Sequence, residues 1–142
     1  MAKVTVIGAG GYVFPIRLLI DTFSFPELQN LEVSLHDIHE GRLNRTAGLV
    51  QGIIERNGLG VRLSSTLDRK LALEGADYVI VAFQVGGVEA YKYDVEIPRE
   101  YGIDQCVGDT LGPGGVFRGL RTIAVLKEIA ADMKEVCPNA LM

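Results

Sequence analysis

Apolar residues along this chain fall into two alternating rhythms. Short apolar runs at Val4–Ile7, Leu31–Leu35 and Tyr78–Phe83 read as strands, with a shorter strand over Val61–Ser65. Tyr78–Phe83 is continuous and looks central, as a strand covered on both faces would be. Between these runs the spacing changes. Leu43, Ala47, Val50 and Ile54 recur at helical intervals and predict an amphipathic helix over about Glu40–Arg56. Ile123, Leu126, Ile129, Ala130 and Met133 mark one face of another helix over Arg121–Val136. Tyr12 to about Phe23 reads as a helix that tolerates Pro15 in its first turn. Leu67–Glu74 is a short helix stopped by Gly75, and Glu89–Tyr101 is helical with Pro98 as an interruption. Gly102–Gly115 reads as irregular, and Ala140–Met142 as the start of a further strand.

Strands alternating with helices imply an α/β fold: a parallel sheet with right-handed crossovers and flanking helices. The expected strand order is 3-2-1-4, the first half of a Rossmann-type sheet. The alternative is a compact flavodoxin-like domain. Because the pattern stops inside an apparent element, residues 1–142 read as the N-terminal part of a dinucleotide-binding domain. A second half of the sheet and a substrate domain are expected beyond it.

Composition narrows the class without deciding it. The chain has 142 residues, 48% hydrophobic and 23% charged, enough apolar material for one core. Its formal net charge of −4 argues against a broad nucleic-acid interface. No apolar run approaches the roughly 20 residues of a membrane span. Met-Ala-Lys leading straight into a strand is not a secretory signal. Cys106 and Cys137 form neither a metal motif nor a disulfide framework, which suits a reducing cytoplasm.

The candidate chemistry begins at Val-Ile-Gly-Ala-Gly-Gly, residues 6–11. A glycine turn between a strand and a helix is the phosphate-binding start of a dinucleotide fold. Gly8 permits the tight turn and Gly10 close approach to a pyrophosphate. The third glycine of the fingerprint falls at Val13, so the match is incomplete. Asp37 follows the second strand, 27 residues after Gly10. A carboxylate there accepts hydrogen bonds from the adenosine ribose and repels the 2′-phosphate of NADP; the plainer reading is a helix cap. His36 and His39 have the His-x-x-His spacing of a metal pair but lack further ligands, so strand-end histidines are the simpler reading.

Gly108–Gly115 sets an Asp-Thr pair among four glycines and a proline. Asp109 could serve as a general acid or base, or as a local turn cap. Arg118 and Arg121 could bind an anionic or hydroxyl-rich substrate, or be solvated charges. Cys106 could be a nucleophile or a structural thiol.

Several segments together resemble glycoside hydrolase family 4, the NAD- and divalent-metal-dependent glycosidases. They are residues 6–11, His-Asp-Ile at 36–38 and Ala-Asp-Tyr-Val-Ile-Val-Ala-Phe-Gln-Val-Gly-Gly at 76–87. To these add Gly-Asp-Thr-Leu-Gly-Pro-Gly-Gly-Val-Phe-Arg-Gly-Leu-Arg-Thr-Ile at 108–123 and Asp-Met-Lys-Glu-Val-Cys-Pro-Asn-Ala at 132–140. The wording is most similar to the α-galactosidase branch, with α-galacturonidase and α-glucosidase as alternatives. A non-catalytic NAD-binding remnant and a 2-hydroxyacid dehydrogenase-like protein are the other classes.

The resemblance implies NAD and Mn2+ as cofactors and an elimination–addition route, the exception to two-carboxylate glycosidases. In that route NAD takes a hydride from sugar carbon 3 and the proton on carbon 2 becomes acidic. The glycosidic bond then breaks, water adds and the hydride returns. The resemblance assigns Gly8, Ala9, Gly10 and Gly11 to the pyrophosphate turn and Asp37 to the ribose. It places Phe83 and Gln84 beside the cofactor, and Asp109 where departure of the glycosidic oxygen is assisted. Phospho-sugar members carry an arginine where Tyr91 stands, which implies an unphosphorylated sugar, with Lys92 as the neighbouring cation. The family's metal ligands and catalytic base align beyond Met142, so no metal ligand is assigned here. The expected partners are a small sugar and further copies of the full-length protein, not nucleic acid or membrane.

Overall fold

The computed structural model describes residues 1–105 and 111–142. Two compact units result, one of residues 1–83 with 132–142 and one of residues 84–131.

The first unit is built on four parallel strands: β1 (Lys3–Ile7), β2 (Glu32–His36), β3 (Arg62–Thr66) and β4 (Tyr78–Val81). Their order is β3-β2-β1-β4, as the alternating pattern predicts. The register sets Ile7 beside His36 and Val81, so three strands end together on one side of the sheet. Helices α1 (Phe14–Phe23), α2 (Glu40–Asn57) and α3 (Arg69–Leu73) fill the crossovers. Val6, Val33 and Leu35 from the strands pack with Leu19, Leu43, Val50 and Ile54 from α1 and α2. The Leu43–Ile54 stripe read from the sequence is therefore the core face of α2. α2 ends where Gly58 adopts a left-handed φ of +60°. The buried hydroxyl of Thr5 donates to the Ala72 carbonyl at 2.8 Å, tying α3 to β1.

β4 is less central than its apolar sequence suggests. It lies at the edge of the four strands, and Tyr78 is half exposed. On its outer side Leu141 forms a parallel bridge to Tyr78. The Leu141 amide donates to the Asp77 carbonyl and its carbonyl accepts from Val79, so the strand start expected at 140–142 exists as one bridge.

In the second unit α4 runs Gly87–Glu100, with Pro98 in its last turn, where the kink costs little. The last helix, α5, runs Gly112–Val136, so it starts nine residues before the expected Arg121. Gly112 turns the chain at φ +79° and Pro113 follows in the first turn, where its missing N–H is harmless. The glycines after it suggest irregular chain, but a helix start outweighs their low propensity. Ile129 and Met133 are buried as expected, whereas Ile123 is exposed.

Candidate functional site

The C-terminal ends of β1 and β2 and the turn after β1 build the candidate site. Gly8 takes φ +89°, and a Cβ there would lie 2.5 Å from the Ala82 carbonyl oxygen and 2.8 Å from Phe83 Cβ. Only glycine fits that turn. The amides of Gly8 and Ala9 both donate to the His36 carbonyl at 2.9 Å, so the turn is fastened to the end of β2. Gly11 closes back on the Gly8 carbonyl at 3.3 Å.

Gly10 has a different reason to be glycine from the one its motif suggests. Its N–H donates to Asp37 Oδ2 at 2.8 Å. A Cβ would sit 2.7 Å from that same carboxylate and 2.8 Å from Arg42 Cβ. The close approach is thus to the chain's own aspartate. Asp37 is almost fully buried, and its Oδ1 accepts the His39 amide at 2.8 Å. Both oxygens retain a second lone pair for a ligand hydroxyl. The ribose and cap readings of Asp37 describe compatible contacts on one side chain.

α1 begins at Phe14 after Val13, with no side-chain cap and no acidic residue in its first turn. The Phe14 and Ile16 amides of that turn are therefore left for an anion or water, Pro15 having none. Val13 is exposed, so the missing third glycine does not disturb strand–helix packing.

Sequence reading missed two residues of this site. Arg45, one turn into α2, donates through Nη2 to the Gly10 carbonyl at 3.2 Å. Its guanidinium lies 3.9 Å over the Tyr12 ring. Arg42 and Arg45, three apart on α2 and off the Leu43 core face, both reach Gly10, and that shared helical face is the only signal the sequence holds.

Phe83 belongs to the first unit and touches the Gly8 turn. Gln84 opens the second unit, where its Nε2 donates to the Gly87 carbonyl at 3.3 Å. Asp109 and Cys106 lie outside the described residues. Arg121 is neither a solvated charge nor a free substrate ligand. It holds buried Asp94 through two bonds, 2.8 and 2.6 Å, and this pairing holds the guanidinium charged, above its usual range. Lys92 pairs with Glu96 one turn along α4.

His36 is buried with Nδ1 unpartnered, and burial pushes its imidazole below the usual 6.5. His39 is exposed and supplies its backbone amide, so the two histidines do not act as a metal pair. Among the described residues no group of three or more His, Cys, Asp or Glu could hold a metal ion. No helix among them is long and apolar enough to cross a membrane.

A sheet of this order with a glycine turn and a buried carboxylate at its C-terminal edge defines a Rossmann-type nucleotide fold. Residues 3–142 match the family 4 glycosyl hydrolases, and the chain belongs to that family. An α-galactosidase of Bacillus subtilis is 45% identical over 99% of this chain and 33% of its own length. An α-galactosidase of Rhizobium meliloti is 44% identical over 94% of this chain and 27% of its own. The chain thus spans about a third of the curated relatives it matches. More distant relatives carry other names, including an α-glucosidase at 37% and an α-galacturonidase at 34% identity. Among solved structures, the 6-phospho-β-glucosidase of Thermotoga maritima with manganese, NAD+ and glucose-6-phosphate has a TM-score of 0.82. It is 25% identical, covering 96% of this chain and 32% of that one.

Proposed function

We propose that residues 1–142 are the NAD-binding part of a redox-assisted glycosidase acting on α-galactosides. The observation that carries the reading is the Gly10–Asp37 contact at the edge of a β3-β2-β1-β4 sheet. It sets a buried carboxylate and an uncapped helix N-terminus beside one glycine turn. Asp37 would take the ribose hydroxyls, and the turn of Gly8, Ala9, Gly10 and Gly11 with the first amides of α1 would take the pyrophosphate. Phe83, with Gln84 next to it, would flank the cofactor.

These residues suit NAD by shape and charge: positions 8 and 10 of the turn have room only for glycine, and the carboxylate disfavours a 2′-phosphate. NAD, when bound, supplies a hydride acceptor for the sugar. The chain's part is to orient that cofactor and hold the Asp37 side chain in place beside it. The described residues offer no ligand set for manganese, so Mn2+ would be held elsewhere in the protein and no step is derived through it. Asp109 would assist departure of the glycosidic oxygen.

The α-galactoside assignment rests on the names of two relatives at 44 and 45% identity, and on the family resemblance, which sets Tyr91 at the place of an arginine expected in phospho-sugar members. Relatives named α-glucosidase and α-galacturonidase keep those substrates as the second reading. Self-association and a cytoplasmic setting belong to the same proposal.

The test is NAD titration of wild type and Asp37→Ala by calorimetry, followed by an aryl-glycoside panel on the full-length protein. Saturable binding that falls about tenfold or more on losing the carboxylate is expected, since bonds to charged acceptors are worth about 1.5–3 kcal/mol. Undiminished binding by Asp37→Ala would remove Asp37 from the site. Hydrolysis of a galacturonide or glucoside in preference to the galactoside would overturn the substrate.

A further inference from the structure

Arg45 carries more than a structural contact. The Gly10 backbone is gripped on both sides: its N–H donates to Asp37 at 2.8 Å and its C=O accepts from Arg45 at 3.2 Å. The Arg45 guanidinium carbon itself lies over the Tyr12 ring, 3.9 Å from its centre. Among the described residues, no carboxylate forms an ion pair with Arg45. A partly buried cation with no carboxylate partner therefore stands behind the turn proposed to take the pyrophosphate. A carbonyl left free at that turn would present lone pairs to an approaching anion. Engaging it on a guanidinium withdraws that repulsion and adds positive potential.

We propose that Arg45, steadied by Tyr12, is a positioning residue for the diphosphate of the bound dinucleotide, acting through the Gly10 carbonyl. The inference rests on the NAD-binding reading above. Asp37 answers for the ribose end and Arg45 for the diphosphate end, so the two should separate when ligands with and without a diphosphate are compared. Arg45 is also suited to this by chemistry: a lysine at the same position would keep the charge but not the planar guanidinium over the Tyr12 ring.

The test uses the full-length protein, with NAD and adenosine as the two probes. Arg45→Met should weaken NAD about tenfold, the loss of one charge-assisted bond, and leave adenosine within about twofold. Arg45→Lys should recover part of the NAD affinity, and Tyr12→Leu should show a smaller loss of the same kind. The salt dependence of NAD binding should flatten in Arg45→Met, which a purely structural role would not produce. Unchanged NAD affinity in Arg45→Met, or equal losses for NAD and adenosine, overturns the inference. If Arg45→Met fails to fold, Arg45→Lys decides by the same ratio. Wild type binding neither probe would instead bring down the NAD reading itself.

Discussion

Asp37 Oδ2 accepts the Gly10 amide at 2.8 Å, and a methyl group on Gly10 would stand 2.7 Å from that oxygen. Donor and steric limit thus come from the same residue. Gly10→Ala must push the carboxylate aside, and Arg42 blocks the other direction at 2.8 Å. We expect it to cost about 1–3 kcal/mol of stability, the usual range for overpacking, and to reduce NAD affinity at least as much as Asp37→Ala. Gly41→Ala, in the first turn of α2, is the control, because a Cβ there meets nothing within 4 Å. Thermal melting and NAD titration of both variants check this; equal behaviour would remove the special role of position 10.

Glycine is dispensable at two positions inside α2. α2 contains Gly48 and Gly52, and a Cβ at either meets nothing within 4 Å. In a helix interior, glycine costs about 0.5–1 kcal/mol relative to alanine. Gly48→Ala and Gly52→Ala should each stabilise the protein by about that amount, additively, with NAD affinity unchanged. Chemical denaturation measures it; a loss of stability in the double variant would mean the helix needs those gaps for another contact.

The strand order and the Leu43–Ile54 core face were legible because both arise from periodic burial along one element. Gly8 was legible because a strand-to-helix turn leaves few alternatives to positive φ. Gly10 was legible as a position but not as a reason, since its neighbour Asp37 is 27 residues away and no spacing reveals a 2.8 Å contact. Arg45 and Arg121 were opaque for a similar cause. The sequence shows that each is a cation on a helix, while its partner depends on how two elements pack. The start of α5 was hidden because Gly112, Pro113, Gly114 and Gly115 carry loop propensities, and Pro113 is harmless only in a first turn.

His36 should make stability depend on pH. Burial is the main cause holding its imidazole below 6.5, with Arg69 acting the same way against the Leu67 backbone, Asp37 and Asp68. In the folded protein the ring therefore stays neutral where the unfolded chain already binds a proton. As pH falls through 6.5 the unfolded state gains that proton first, so stability declines until the lower folded value is passed. Above 6.5 both states are neutral and His36 contributes no slope. Melting temperatures at about pH 7.5 and pH 5.5 should differ more in wild type than in His36→Asn, which has no proton to bind in this range. Equal slopes would mean that the carboxylates alone set the pH response.

In the second unit, Asp94 and Arg121 join α4 to α5 through two parallel bonds of 2.8 and 2.6 Å, with Asp94 buried. The Gln105 side chain adds a bond of 2.6 Å to the Asp94 carbonyl. The two directions of breaking this pair are unequal. Arg121→Met strands a carboxylate that is out of contact with water, the costlier error, whereas Asp94→Asn leaves a guanidinium that can still reach solvent. Arg121→Lys keeps the charge but offers no flat fork and should recover only part of the loss. The melting temperature should fall in the order Asp94→Asn, then Arg121→Met, with the lysine variant above the methionine one. The double variant Asp94→Leu with Arg121→Met removes both charges, and should be more stable than Arg121→Met alone. A double variant that melts below both single variants would show that the pair is needed for more than mutual neutralisation.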